Sequence, residues 1–323
     1  MKKNKGSNIT GLVLLAKKSG LTSFSSLWSV KHALKTEKVG HTGTLDSFAD
    51  GLLVVLTGRL THLVPHITSF TKTYLALVCF GKETDTLDPT GKVIKRGSAP
   101  SRKQVEDILA TFTGPLLQKP PAFSALHVGG KRASDLARNG QDVNIEPRQI
   151  FVYKNSLIDF KEASENDPCS YAILEIQCSK GTYIRALARD IGEALQSPAC
   201  LSALRRTQVG PFKLSDAAFA KDLPPFDMNL IAYSPDKKKD NQDERCEIRK
   251  AFSLFTPELA KTCGLKTAYL KKDFESYLEN GRPLKKKMLE LLSAGESKEI
   301  ALFFQDGIFA GMVEDLRSEE HTS

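Results

Sequence analysis

Two short, almost unbroken apolar runs constrain this chain more than any other feature. Leu52-Leu53-Val54-Val55-Leu56 and Tyr74-Leu75-Ala76-Leu77-Val78-Cys79-Phe80 offer no continuous polar face, so each reads as a buried strand. The stretch Tyr171 to Cys178 alternates instead: Ala172, Leu174, Ile176 and Cys178 share one face, Glu175 and Gln177 the other. Helical patterns come between the strands. Ser101-x-x-Gln104 is a capping box, followed by Val105, Ile108, Leu109 and Phe112 at helical spacing. Ile184, Leu187, Ala188, Ile191 and Leu195 form an apolar stripe that leaves Arg185 and Arg189 outside it. Strands and helices thus alternate through the first two-thirds, which predicts an α/β (α+β) catalytic-type domain.

The 323 residues give room for one large domain and one small one. Between Ser234 and Arg249 the composition shifts: Pro235-Asp236-Lys237-Lys238-Lys239-Asp240 carries no apolar residue, and 234–249 reads as a charged linker. The boundaries predicted are therefore 1–233 and 250–316, with Asp306-Gly307 between two apolar runs marking a hairpin in the second. Arg317-Ser318-Glu319-Glu320-His321-Thr322-Ser323 reads as a non-native tail, an ordinary polar tail being the alternative. No internal repeat is visible.

Lys and Arg number 46 against 38 Asp and Glu, and the net charge of +8 suggests a polyanionic partner rather than a generically basic surface. Six cysteines contain no C-x-x-C pair, so free thiols in a reducing compartment are expected. The apolar run Leu12 to Ala16 is too short for a signal-peptide core, and no stretch approaches the ~18 residues of a membrane helix. A cytoplasmic location, away from membranes, is the expectation.

The densest chemical signal is Lys38-Val39-Gly40-His41-Thr42-Gly43-Thr44-Leu45-Asp46-Ser47-Phe48-Ala49-Asp50-Gly51-Leu52-Leu53. Two glycines bracket His41 and Thr42, a carboxylate follows, and then a strand; the loop would present His41 and Asp46 from a rigid element. The plain alternative is a turn that happens to contain Asp. Nucleotide-binding glycine motifs do not fit: Gly81-Lys82-Glu83-Thr84 lacks the P-loop pattern, and no G-x-G-x-x-G occurs. His62 and His66 are spaced as ligands could be, but Pro65 interrupts them, so no metal site and no cofactor is expected. A serine elbow and a cysteine–histidine neighbourhood are likewise missing from the sequence.

The run from Lys38 to Leu53 resembles the signature of the bacterial tRNA uridine-55 pseudouridine synthases, the TruB family. Three further blocks are similar to that family, in its order: Thr84 to Val93, Gln118-Lys119-Pro120-Pro121-Ala122-Phe123-Ser124-Ala125, and Cys178 to Arg185 with Leu204-Arg205-Arg206-Thr207. The resemblance runs from about Gly11 to Phe212. It implies a pseudouridine-synthase-like mixed, largely antiparallel sheet with flanking helices, followed by a small β-rich PUA-like domain. Tyr277 to Pro283 and Phe303 to Gly307 carry the latter likeness.

The same resemblance implies roles. Asp46 would be the essential carboxylate, Arg185 would pair with it and hold it ionised and aimed, and Tyr74 would stack on the flipped base and relay the C5 proton. Tyr183 and Leu204 would line the uracil pocket, and His41 would fill the space left by the extruded nucleotide. Lys17, His62, Lys180 and Arg206 would contact the substrate. Without the resemblance, Tyr74 and Leu204 read as packing residues and Arg185 as a helix-surface charge. The expected partner is the T-arm of tRNA, the protein acting as a monomer without an obligatory protein partner. Departures from the family pattern are Ser47-Phe48-Ala49-Asp50 after the catalytic position, with an extra acid at Asp50 near an RNA-facing loop; His62, where lysine is usual; and Ala16-Lys17-Lys18-Ser19-Gly20, which lacks the usual proline. Two rivals share these blocks: an RNA-binding folding assistant, and a guide-RNA-dependent synthase subunit that works with partner proteins.

Overall fold

The computed structural model describes residues 9–141, 143–232, 242–280, 282–291 and 299–314. The expected non-native tail lies outside these, as does the first half of the expected linker, 234–241. The main sheet has ten strands: β1 (Gly11–Lys17), β2 (Val39–His41), β3 (Asp50–Thr57), β4 (Lys72–Phe80), β5 (Gly114–Gln118), β6 (Arg148–Lys161), β7 (Ser170–Cys178), β8 (Ala199–Val209), β9 (Phe212–Lys213) and β10 (Phe252–Ser253). Their order is β10-β1-β3-β8-β4-β7-β6-β5, with β2 paired to β3 and β9 to β8. Pairing is antiparallel except between β3 and β8, which run parallel where Asp50 faces Arg205 and Gly51 faces Arg206. That junction places the end of the Lys38–Leu53 block in the centre of the sheet.

Both apolar runs are strands, as the sequence predicts, and every residue of β3 is buried. On one face Tyr74, Ala76, Val78, Leu174 and Leu201 pack against α2 (Arg102–Leu109) and α3 (Ile184–Ala194), through Val105, Leu109, Leu187 and Ile191. The capping box of α2 is present, the Ser101 N–H donating to Gln104 Oε1 at 2.9 Å. The alternation in β7 holds for Glu175 and Gln177, which are half-buried. Tyr171 and Ile173 share their face yet are covered, because the segment Phe226 to Ile231 folds over that end of the sheet. Further along, Val13, Leu15, Leu53 and Val55 face Leu27, Val30 and Leu34 of α1 (Ser23–Leu34).

The linker expected over 234–249 needs correction from Gln242 onward, where the chain is helical (Gln242–Lys250). Its Ile248 is fully buried beside Val30 and Leu34, and Arg249 Nε donates to the Ala33 carbonyl at 2.8 Å. β10 then joins the edge of the main sheet against Leu12 and Val13, so a boundary at 250 cuts through the sheet. Beyond it a four-stranded sheet contains the expected hairpin, Glu299–Phe303 with Phe309–Glu314, turning at Gly307 with φ 80°. Phe255, Phe303 and Phe309 share one apolar cluster with Leu12, Leu52 and Leu56, so the terminal unit rests on the main sheet. His66 reinforces this contact, with Nδ1 2.9 Å from Glu299 Oε2 and Nε2 2.9 Å from the Cys263 carbonyl oxygen. The six cysteines are free thiols, all buried except Cys246. Among the described residues no helix is long and apolar enough to cross a membrane.

Candidate active site

Asp46 sits in a loop whose backbone carbonyls at Gly43, Leu45, Asp46, Ser47, Phe48 and Ala49 are engaged by neighbouring groups. Arg206 Nη2 donates to the Gly43 carbonyl at 3.0 Å and its Nε to the Leu52 carbonyl at 2.8 Å. Ser23 Oγ donates to the Leu45 carbonyl and accepts from the Leu45 N–H. The Asp46 carbonyl accepts from the Ala49 N–H, closing a turn. The Ser47 carbonyl accepts from the Gly20 N–H, and the Phe48 carbonyl from Ser19 Oγ at 2.7 Å. Lys17 Nζ donates to the Ala49 carbonyl at 2.6 Å, and the Asp50 carboxylate is held by Arg205. These are net-favourable bonds of about 1 kcal/mol each, and their number fixes the loop's shape before any substrate arrives.

The opposite wall is the start of α3. Gln118, buried on β5, donates from Nε2 to the Tyr183 carbonyl and accepts at Oε1 from the Tyr183 N–H. That clamp fixes where the helix begins and so where Arg185 emerges. The Arg185 guanidinium is buried and meets two carboxylates. Its Nη2 donates to Asp46 Oδ1 at 3.3 Å, Nε lies 2.8 Å from Asp46 Oδ2 without the alignment of a hydrogen bond, and Nη1 is 3.6 Å from Asp88 Oδ2. Nη1 also donates to the Thr86 carbonyl and Nη2 to the Phe123 carbonyl. The Asp46 side chain is 39% exposed against 5% for Arg185. The cation is therefore enclosed while the carboxylate faces open space.

That space is a cleft of about 490 Å³ lined by Asp46, Tyr74, Tyr183, Arg185, Leu204 and Arg206, with Lys72, Arg132 and Arg138 adding positive charge. Burial pushes the Tyr74 hydroxyl above the ordinary phenol range, and the hydrogen-bonded Arg206 guanidinium pulls it part of the way back. Tyr183 is raised for the same first reason, burial. Lys72 is lowered to about 8 by burial and by Arg206, although its ammonium donates to the Thr68 and Phe70 carbonyls. The arrangement can receive a planar, uncharged ring between aromatic and aliphatic walls, and present one carboxylate to it.

The structure brings together Asp46, Tyr74, Tyr183, Arg185, Leu204 and Arg206, as the resemblance implies. It does not bring Lys17 there. That ammonium is 1% exposed, and the carbonyls of Lys18, Leu21 and Ala49 converge on it. Burial lowers Lys17 to about 8, with Asp50 and Asp46 opposing the shift; its ammonium is engaged by backbone carbonyls that include one of the Asp46 loop. His62 is exposed outside the cleft, with Nε2 3.2 Å from Lys38 Nζ. Lys180 is exposed between Ser179 and Gly181, both of which line the cleft. His41 is half-buried, and its Nδ1 accepts from the Gly43 N–H at 3.3 Å. Asp50 is buried against Arg205 instead of facing the cleft. Ser19, Ser23, Lys72 and Gln118 have site roles that the residue types alone do not announce; Gln118 lies in a block that was recognisable, without a role attached.

Residues 31–184 match the model described as TruB family pseudouridylate synthase, N-terminal domain, and residues 185–226 match that of the tRNA pseudouridylate synthase B C-terminal domain. A curated relative named tRNA pseudouridine synthase B, from Treponema denticola, is 40% identical over 299 residues, 85% of this chain and 84% of the relative. The chain belongs to the TruB family of pseudouridylate synthases. A second relative of that name, from Borreliella burgdorferi, is 42% identical over 214 residues, covering 66% of this chain and 74% of its own. Among solved structures, a Cbf5-Nop10-Gar1 complex aligns with a TM-score of 0.60 at 24% identity, over 94% of this chain and 78% of that one. An H/ACA RNP bound to a substrate RNA containing 2'-deoxyuridine gives 0.62 at 22% identity, over 97% and 81%. At these identities the likeness concerns the fold: a TruB-family sheet with a β-rich C-terminal region.

Proposed function

We propose that this TruB-family chain isomerises uridine 55 in the T-arm of tRNA to pseudouridine, with Asp46 as the essential carboxylate. One observation carries the reading: in a loop held through its backbone carbonyls between Gly43 and Ala49 by neighbouring groups, the Asp46 carboxylate opens onto a ring-sized cleft, with the enclosed Arg185 behind it. The relatives' names supply the substrate class.

In this reading the target nucleotide leaves the T-loop stack to enter the cleft, because its glycosidic bond is unreachable within the stack. Leu204 and Tyr183 flank the uracil, and His41 fills the gap left in the RNA. Asp46 attacks the sugar or the base as the C1′–N1 bond breaks. The base turns, a C1′–C5 bond forms, the bond to Asp46 breaks to regenerate the carboxylate, and the C5 proton is passed on while N1 gains one. Tyr74, whose hydroxyl stays protonated at neutral pH, takes part as a relay that gives up one proton as it accepts another. Arg185 orients Asp46 and balances its charge. Arg206, Arg132, Arg138 and Lys180 provide positive potential for the phosphates. The terminal unit acts as an accessory PUA-like RNA-binding domain, and the protein works in the cytoplasm as a monomer without metal or cofactor.

The test is to incubate the purified protein with an unmodified tRNA transcript and map pseudouridine by chemical sequencing. Modification confined to position 55 is expected. Binding without modification would replace this reading with that of an RNA-folding assistant.

A further inference from the structure

Arg205 and Arg206 are consecutive on β8, so their side chains leave opposite faces of the sheet. Arg206 grips Gly43 and Leu52 from the cleft side. Arg205 turns the other way and takes both oxygens of Asp50, Nε to Oδ1 and Nη2 to Oδ2, each at 2.7 Å. Both side chains are about nine-tenths buried, at 9% and 10% exposed, and the Phe226 ring lies 5.3 Å from the Arg205 guanidinium carbon. Neither Arg205 nor Asp50 lines the Asp46 cleft; Asp50 borders a second cavity of about 460 Å³, with Leu204 as a shared wall. The acid is thus turned away from the Asp46 cleft and held by Arg205.

We propose that Asp50 and Arg205 are a positioning pair for Asp46, a proposal that rests on the catalytic reading above. Asp50 is where the loop ends and β3 begins, and it stands in parallel register with Arg205 itself. The two arginines thus fasten the two ends of the segment that carries Asp46, Arg206 at Gly43 and Arg205 at Asp50. A bidentate fork resists rotation of the carboxylate in a way that a single bond does not. Because Asp46 is only four residues away and joined to Ala49 by a turn, slack at Asp50 reaches the catalytic carboxylate directly. The extra acid of this chain belongs to its catalytic geometry and not to its RNA surface.

The test compares Asp50→Asn with the double variant Asp50→Thr/Arg205→Leu, reading single-turnover pseudouridine formation, tRNA affinity and thermal midpoint on the same preparations. Asp50→Asn leaves a buried guanidinium without its counter-charge and lowers the midpoint. The double variant removes both charges, so its midpoint returns toward wild type. Positioning predicts that its rate nevertheless stays down by about 10- to 100-fold, with tRNA affinity unchanged. A folded double variant turning over at the wild-type rate would overturn the proposal, as would a loss of rate matched by an equal loss of affinity. Should the double variant not fold, Arg205→Lys, which keeps the charge but loses the fork, carries the same comparison. A wild-type protein that makes no pseudouridine would instead sink the catalytic reading.

Discussion

The Ser23 hydroxyl donates to the Leu45 carbonyl at 3.0 Å and accepts from the Leu45 N–H at 2.8 Å, so one side chain holds both backbone polar groups of the residue before Asp46. Gln118 treats Tyr183 in the same way across the cleft. The carboxylate and its arginine thus emerge from backbones that are each clamped by a single buried side chain.

Ser23→Ala should then strand two buried polar groups, at a cost of about 1–3 kcal/mol, and slow turnover more than it weakens tRNA binding. Chemical denaturation beside single-turnover kinetics measures both. A variant that loses stability but keeps its rate would show that Ser23 serves the fold alone.

Gly51 is a position where no side chain fits. Its φ is 107°, and a Cβ would lie 2.4 Å from the Arg206 carbonyl oxygen and 2.7 Å from the Arg206 nitrogen. Backbone strain of this kind costs about 1–3 kcal/mol, and the clash with β8 backbone adds to it. Gly51→Ala should lower the denaturation midpoint and separate β3 from β8 at the junction with Asp50 and Arg205. An unchanged midpoint would mean that the β3–β8 junction is loose enough to admit a side chain.

Much of this was legible in the sequence, and the exceptions share a cause. β3 and β4 announce themselves because both faces are buried, and the α2 cap and the terminal hairpin follow from local chemistry. Asp46 and Arg185 lie 139 residues apart, and family resemblance alone could pair them. Lys17 enters as a substrate contact through the resemblance alone; three carbonyls converging inside the fold turn it inward. Asp50 reads as a surface acid because its partner is a strand away. The helix from Gln242 is hidden by its own charge, since Ile248 is the residue that buries it.

His41 carries a pH dependence. Burial is the main cause that lowers its pKa below the ordinary 6.5, Arg206 adding to it. Neutral imidazole can also accept the Gly43 N–H, which imidazolium cannot. A depressed folded-state pKa means that the unfolded chain binds more protons below 6.5. The stability from neutral His41 is therefore complete above 6.5 and is lost as pH falls through the folded pKa. An NMR titration of the His41 ring should give a midpoint below 6.5, and His41→Asn should flatten this part of the stability profile. A midpoint above 6.5 would contradict the account.

The central claim is that Asp46 performs the chemistry while other residues hold the RNA. Asp46→Asn keeps the size of the side chain and removes its charge and nucleophilicity. It also leaves Arg185 with Asp88 as its remaining carboxylate, 3.6 Å away, so thermal unfolding must be followed alongside. The measurement is single-turnover pseudouridine formation at saturating tRNA on the folded variant, with tRNA affinity determined on the same preparation. The account predicts no detectable pseudouridine and nearly unchanged affinity, because an amide cannot replace a carboxylate in covalent catalysis. Pseudouridine formed by folded Asp46→Asn at the wild-type rate would contradict it.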